Sequence, residues 1–325
     1  MVGKATTDAA LQFARILRMA SLNSRSAWPA LLVVVTLCFR VSAAAEQGAA
    51  TGLRATPDAR DASFDSQGVP IHYTDEGRGE PVVLIHGFAM NGARWKDTAV
   101  IPSLLDGGFR VIIVDARGHG SSGKPHDPRQ YGAEMARDII RLLDHLRLEK
   151  AHVVGYSMGG LVTNKVRELA PERLRSATLG GAGWMEDGGP ALADVTGTEI
   201  AEALERTGSF EWMLRAFTKK QQPPPTEEDL AKRNRRMLEG NDLQGLAAVL
   251  RGWNGFAVPE RNLRDNRVPT LALIGAQDPL KVRVDALASV MRDLEVVVIP
   301  DADHGALAHP MFAQGLRSFL ARHRE

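Results

Sequence analysis

Cysteine is almost absent from the sequence, because Cys38 is the one thiol in 325 residues. One thiol cannot close a disulfide within the chain, so a disulfide framework is excluded, as is a cysteine-rich zinc or iron–sulfur site. An excess of charge of either sign is absent too: 40 lysines and arginines face 39 aspartates and glutamates, which gives a net charge of +1. We therefore expect no nucleic-acid partner.

Long hydrophobic runs are also missing. The segment ALLVVVTLCF, residues 30–39, has ten residues, whereas a membrane-spanning helix needs about 20. Such a run suits a secretory signal peptide, and the alanines before Glu46 form a small-residue cleavage pattern. Residues 1–45 are therefore predicted to be a signal peptide, with Met19 as the true start. We expect a mature protein that is periplasmic or secreted and has no membrane contact. The alternative is an uncleaved N-terminal anchor, which Arg40 after the run would suit.

Strand and helix patterns alternate through most of the chain. Three continuous apolar runs, at 81–85, 109–115 and 151–155, are typical of parallel strands covered on both faces. Helical spacing of apolar residues separates the second run from the third, as at Met135 and Ile139. The pattern predicts an α/β fold in which a mostly parallel twisted sheet is flanked by helices.

The strand signals stop within residues 184–261, although helical patterns continue there. We interpret this stretch as a helical cap, inserted between two strands of a core that comprises residues 62–183 and 262–325. Residues 46–61 are predicted to be a linker. Three of the five tryptophans fall in the cap, and three prolines follow Lys219 and Lys220. These features predict a mobile lid over an apolar pocket for small and medium acyl compounds.

The strongest motif is Gly155-Tyr156-Ser157-Met158-Gly159, which matches G-x-S-x-G. It follows a predicted buried strand and precedes a predicted helix. Small glycines at these positions permit a sharp turn that exposes the serine hydroxyl beside the N–H groups of the helix start. This context predicts that Ser157 is a catalytic nucleophile.

A serine hydroxyl needs a base and an orienting carboxylate, so a histidine and an acid are expected downstream. Asp278 follows one predicted strand and His304 follows the next. Both stand at carboxyl ends of strands, where open α/β sheets place their ligand sites. His304 alone among nine histidines combines this position with the order Ser, Asp, His. The predicted triad is therefore Ser157, His304 and Asp278, with Asp278 rather than Asp301 or Asp303 orienting the imidazole.

Further motifs accompany this triad. They are His86-Gly87-Phe88 after an early predicted strand and Asp115-x-Arg117-Gly118-His119-Gly120-x-Ser122. With them, residues 62–325 resemble the α/β-hydrolase family, and above all its capped branch of esterases, lactonases and haloperoxidase-like enzymes. The resemblance implies an oxyanion hole formed by the backbone N–H groups of Phe88 and Met158.

The sequence thus predicts an enzyme, a serine hydrolase that cleaves carboxylic esters or lactones of small to medium size through an acyl-enzyme. Epoxide hydrolases and haloalkane dehalogenases of the family carry aspartate at the position of Ser157, which argues against both activities. Carbon–carbon hydrolases use serine but typically have asparagine in place of Tyr156. A carbon–carbon hydrolase, an aminopeptidase of the proline-iminopeptidase kind and a perhydrolase are the alternatives, together with a hydrolase-fold protein that only binds.

Cofactor motifs are absent from the sequence. No H-E-x-x-H segment, cysteine pair or aspartate-rich calcium loop occurs, so we expect neither a metal nor another cofactor. Residues 118–123 match G-x-G-x-x-G, but Pro125 and Pro128 oppose a helix whose N-terminus would face a phosphate. The expected partner is a small-molecule substrate.

The predicted signal peptide generates the first test. Protein purified from its native host is expected to begin at Glu46, because cleavage follows the three alanines that precede this residue. Mass spectrometry of the intact protein measures the N-terminus. A soluble cytoplasmic product that retains residues 19–45 would contradict both cleavage and export.

Overall fold

The structure is a computed structural model, and it describes residues 59–186, 196–218 and 223–324. The predicted signal peptide lies outside the described residues, and so do Lys219 and Lys220 of the predicted lid connection. Among the described residues, none of the helices combines the length and the apolar character that crossing a membrane requires.

Eight strands of the described chain form one sheet. In chain order they are β1 (Arg60–Ser66), β2 (Val69–Gly77), β3 (Glu80–Ile85), β4 (Phe109–Val114), β5 (Ala151–Tyr156), β6 (Leu174–Gly180), β7 (Thr270–Gly275) and β8 (Leu294–Ile299). Their order in space is β1-β2-β4-β3-β5-β6-β7-β8. Strand β1 begins two residues inside the predicted linker, since Arg60 and Asp61 already pair with β2.

Strands β3 to β8 run parallel to one another, whereas β1 and β2 are antiparallel to their neighbours. The β1–β2 hairpin turns at Gln67 and Gly68, whose φ angles of 56° and 84° suit a tight two-residue turn between twisted strands. The predicted fold class, a mostly parallel sheet flanked by helices, is confirmed.

The helices of the described chain cover the sheet and bridge its strands. They are α1 (Val100–Asp106), α2 (Ala133–His145), α3 (Met158–Leu169), α4 (Gly197–Thr207), α5 (Glu211–Thr218), α6 (Glu227–Leu238), α7 (Leu243–Arg251), α8 (Glu260–Asp265), α9 (Lys281–Val290) and α10 (Pro310–Arg322). Short 3₁₀ turns lie at Gly92–Asp97, Pro128–Gln130, Pro171–Arg173, Trp253–Phe256 and Ala306–Ala308.

Apolar side chains are buried on both faces of the sheet. In β3, Val82 and Leu84 belong to a cluster that includes side chains of α1 and α10. The alternating residues Val83 and Ile85 belong to a second cluster, with side chains of α2 and α3. Successive strand residues point to opposite faces, so this division accounts for the continuous apolar runs of the sequence.

Helices α4 to α8 lie between β6 and β7. The described part of the predicted cap is therefore mostly helical and contains no strand, and α8 continues past residue 261, the predicted end of the cap, to Asp265. Helix α6 begins with a capping box, in which Thr226 Oγ1 accepts the N–H of Asp229 and Asp229 Oδ2 accepts the N–H of Thr226, both at 3.1 Å. The division of the chain into a core and a separate cap domain stays a prediction.

A buried ion pair joins β1, the loop after β4 and α2. Asp138 accepts Arg117 Nε at 2.8 Å and Nη2 at 2.6 Å, and it also accepts the Ser66 hydroxyl at 2.6 Å. The two charged side chains are each 3% exposed. Because water cannot solvate them, each charge depends on the other, and Arg117 anchors the loop that follows β4.

This pair predicts a large effect on stability. Asp138→Ala is expected to lower the free energy of unfolding by about 3–5 kcal/mol, because it leaves the Arg117 charge buried and unpaired. Asp144→Ala on the same helix is the matched control. Asp144 pairs with Arg173 but is 62% exposed, so its loss is expected to cost less than about 1 kcal/mol. Urea denaturation measures both values, and equal losses would contradict the assignment.

Candidate active site

Ser157 occupies the turn between β5 and α3. Its φ of 55° and ψ of −116° lie in a region that residues with a side chain rarely adopt. The glycines on either side make this turn possible. A Cβ at Gly155 would come within 1.8 Å of the carbonyl oxygen of Gly159, and a Cβ at Gly159 within 2.2 Å of the carbonyl oxygen of Ile85. The turn therefore has the geometry of a nucleophile elbow.

The structure brings the three predicted triad residues together. His304 Nε2 lies 2.9 Å from Ser157 Oγ, and His304 Nδ1 lies 2.8 Å from Asp278 Oδ2. The Asp278 side chain is completely buried, whereas the imidazole is 20% exposed. Since a carboxylate can only accept, Nδ1–H donates to Asp278 and Nε2 is left to accept the Ser157 hydroxyl. The three residues follow β5, β7 and β8, whose carboxyl ends meet at one edge of the sheet.

The two aspartates near His304 make different contacts. Asp278 uses its second oxygen, Oδ1, to accept the N–H of Leu280 at 2.8 Å, which fixes the carboxylate in the turn after β7. Asp303 Oδ1 accepts the N–H of Gly305 at 2.7 Å and closes a local turn instead. The imidazole is thus in contact with Asp278, as expected from the sequence.

Two aromatic residues support His304, and sequence reasoning missed both contacts. The Tyr156 hydroxyl donates to the carbonyl oxygen of His304 at 2.9 Å and accepts the N–H of Leu307 at 3.3 Å. Burial raises the pKa of this phenol, so it stays protonated and can donate. Phe217 of α5 lies over the imidazole, with the ring centroids 4.6 Å apart. Phe217 is one of six aromatic residues in 184–261, and this density is the sequence signal that points toward it.

Two backbone N–H groups near Ser157 have no partner in the part of the chain that the structure describes. Neither Phe88 nor Met158 donates its N–H to another described residue. Met158 is the first residue of α3, where an N–H lacks a helical acceptor. Gly87 places the other loop beside the serine, since a Cβ built there would lie 3.8 Å from Ser157 Oγ. These are the two groups that the family resemblance assigns to an oxyanion hole.

Neutral histidines hold the loop that carries Phe88. His86 Nδ1 lies 2.8 Å from the carbonyl oxygen of Gly87, and Nε2 accepts the N–H of Ala116 at 3.0 Å. Burial lowers the pKa of His86, and it lowers the pKa of the neighbouring His119 to about 3. Both imidazoles are therefore uncharged near neutral pH, and they link loops by hydrogen bonds and ring contacts.

The glycine-rich segment 118–123 is not followed by a helix. The described chain from Gly118 to Asp127 contains none, and the 3₁₀ turn at Pro128–Gln130 comes next. Lys124 Nζ instead binds the carbonyl oxygens of Gly120 and Ser122 at 2.5 and 3.0 Å, which ties the segment to itself.

A cavity of about 520 Å³ opens beside Ser157 and His304. Its apolar lining comes from the core and from helices α4 to α7, and includes Phe88, Leu161, Met213, Phe217 and Trp253. The other aromatic side chains of the predicted cap differ in their surroundings: Phe210 and Phe256 are buried, Trp184 is partly buried and Trp212 is 44% exposed. In the described residues no cluster of three or more histidine, cysteine, aspartate or glutamate side chains could hold a metal ion.

Comparison with known proteins gives the family. Residues 80–308 match the family model of the alpha/beta hydrolase fold, which is more than half of the chain. The chain belongs to this family. The fold and family predicted from the sequence are therefore confirmed.

Two similar proteins are enzymes by name. The chain is 41% identical over 113 residues to a non-heme chloroperoxidase of Kitasatospora aureofaciens, a match that covers 34% of this chain and 40% of that protein. It is 33% identical over 142 residues to a 2-hydroxy-6-oxo-6-phenylhexa-2,4-dienoate hydrolase of Comamonas testosteroni, which covers 43% and 50% of the two chains. The chain thus spans half of these relatives or less.

A solved structure matches over a longer stretch. It is a thermophilic esterase from Thermogutta terrifontis, 26% identical, with a TM-score of 0.66, and the match covers 82% of this chain and all of the esterase. The prediction that the chain is a hydrolase is therefore confirmed.

Proposed function

We propose that this protein is a serine hydrolase that cleaves carboxylic esters or lactones of small to medium size. The hydrogen-bonded chain from Ser157 through His304 to the buried Asp278 carries the proposal. A serine, an imidazole and a carboxylate in this order and at these distances are what activation of a hydroxyl nucleophile requires.

The reaction follows from the position of each group. Ser157 Oγ attacks the acyl carbon while its proton passes to His304 Nε2, and the imidazolium that forms faces the Asp278 carboxylate. The carbonyl oxygen becomes an oxyanion that accepts the N–H groups of Phe88 and Met158. The C–O bond to the alcohol then breaks, and His304 returns the proton to the leaving oxygen. Water, deprotonated by the same imidazole, hydrolyses the acyl-enzyme and restores the serine.

The contacts of the site favour esters and lactones over three of the alternatives, the aminopeptidase, the carbon–carbon hydrolase and the protein that only binds. An aminopeptidase must hold a positively charged amino group, but Asp303 is the one acidic side chain in the described lining, and it already accepts the N–H of Gly305. Tyr156 stands where carbon–carbon hydrolases typically have asparagine, and its hydroxyl is engaged by the His304 loop. A protein that only binds would have no need of the Ser157–His304 contact.

The cavity supports the predicted size of the substrate. Helices α4 to α7 contribute much of its lining, and Phe217 covers the imidazole. About 520 Å³ lies within the volume range of sites for small molecules. We therefore assign it to an acyl group of short to medium length.

Ser157→Ala tests the nucleophile. It is expected to lower kcat toward p-nitrophenyl butyrate by at least about a thousandfold, because it removes the hydroxyl that contacts His304 Nε2. It is also expected to abolish labelling by a fluorophosphonate probe. Ser318→Ala, at an exposed position on α10, is the matched control and should keep both properties. A Ser157→Ala protein that retains most of its activity would place the nucleophile elsewhere.

Asp278→Asn tests the orienting carboxylate. The amide is expected to donate to His304 Nδ1 and force the proton onto Nε2, so kcat/KM should fall by about 10⁴. Asp303→Asn is the comparison, because Asp303 closes its own turn, and it should change kcat/KM far less. Ester hydrolysis by both variants, with thermal unfolding as a check of folding, gives the ranking. The reverse ranking would refute the role of Asp278.

A further inference from the structure

The cavity beside Ser157 has an excess of positive charge. Four arginines line it, whereas Asp303 is the one acidic side chain that does so in the described chain. They are Arg94, Arg233, Arg236 and Arg283. The lining thus combines apolar side chains with four guanidinium groups.

Arg233 and Arg236 come from the helical insertion. They lie three residues apart on α6, so their side chains are neighbours on the helix surface, and both are exposed. Arg233 makes no side-chain hydrogen bond or ion pair with the described residues. Asp229, one turn earlier, accepts the N–H and hydroxyl of Thr226 at 3.1 and 2.8 Å; these bonds lower the pKa of its carboxyl, and the charge of Arg233 adds to the effect.

Arg94 joins them from the core. Its Nη1 lies 3.1 Å from Oδ2 of Asp97, and Arg236 Nη2 lies 3.0 Å from the same oxygen. One carboxylate is therefore shared by two guanidinium groups, each of which has five N–H donors. Two guanidinium groups on one carboxylate leave a net positive charge and further N–H groups that can donate to a ligand. We call Arg94, Arg233 and Arg236 the arginine cluster.

We propose that the substrate is an ester or lactone that carries a carboxylate, and that the arginine cluster binds this carboxylate while the acyl carbonyl lies at Ser157. This inference rests on the proposed function, which it makes more specific. Guanidinium groups are permanently charged and match the planar geometry of a carboxylate with two parallel hydrogen bonds. The preferred substrates are therefore monoesters of dicarboxylic acids, esters of hydroxy or phenolic acids, and lactones with a pendant carboxylate.

The test compares acidic and neutral substrates of equal size. One pair is p-nitrophenyl hydrogen adipate and p-nitrophenyl hexanoate, with the carboxylate on the acyl side. The other is 4-(butyryloxy)phenylacetate and its methyl ester, with the carboxylate on the alcohol side. In at least one pair, kcat/KM for the acid is expected to exceed that for the neutral ester at least about tenfold, after subtraction of the enzyme-free rate. Added salt is expected to reduce this ratio.

Variants identify the residues. In R233Q, R236Q and the double variant, the ratio of acid to neutral ester is expected to fall, with the largest loss in the double variant. Each ratio is measured within one protein, so a general loss of activity cancels. R235Q is the matched control, because Arg235 is exposed on the same helix but does not line the cavity. Its ratio should equal that of the unaltered protein.

The outcomes separate this inference from the proposed function. The carboxylate site is overturned if the enzyme hydrolyses the neutral esters and prefers neither acid. It is also overturned if the double variant keeps the preference for the acid. In both cases the serine hydrolase stays intact. Absence of hydrolysis of all four compounds, with no fluorophosphonate labelling, would overturn the proposed function and this inference with it. Calorimetric titration of the Ser157→Ala protein with the acid that the enzyme prefers measures binding without turnover. If R233Q and R236Q, added to Ser157→Ala, do not weaken this binding, the carboxylate site is contradicted as well.

Discussion

The turn at Ser157 is the constraint on which the rest of the site depends. The chain must pass from β5 into α3 through one residue with a positive φ, a conformation that costs on the order of 1–3 kcal/mol. The sheet offsets this cost. Every residue of β5 is buried, and the Ser157 N–H donates to the carbonyl oxygen of Gly180 on the neighbouring strand at 2.7 Å. A rigid central strand therefore holds the serine hydroxyl in a fixed direction.

Parallel strands explain why the other groups meet that hydroxyl. Strands β3, β5, β7 and β8 end at the same edge, and the loops that follow them carry Phe88, Ser157, Asp278 and His304. Hydrogen bonds of His86 hold the loop of Phe88 at this edge without adding charge next to the serine, since burial keeps this imidazole uncharged. The charge that faces the imidazole is then the buried carboxylate of Asp278, and the cationic lining of the cavity comes from other elements.

Elements whose apolar residues follow a regular pattern along the chain could be predicted from the sequence. Buried parallel strands leave continuous apolar runs, and the motif at Ser157 fixes the order in which base and acid follow. Helices α1 and α9 were not predicted. Helix α1 has seven residues with Pro102 in its first turn, and α9 has no single apolar stripe, since Val282 is 66% exposed. Contacts between distant elements, such as Phe217 on His304 or Arg236 on Asp97, leave no local pattern at all.

The central claim is that Ser157 becomes covalently acylated during turnover. Acid quenching of the full-length enzyme during hydrolysis of p-nitrophenyl butyrate, followed by peptide mass spectrometry, tests it directly. The account predicts a butyryl group on the peptide that contains Ser157, formed at a rate that supports turnover and absent from Ser157→Ala. An acyl group on another residue, or steady turnover without any acylated peptide, would contradict it.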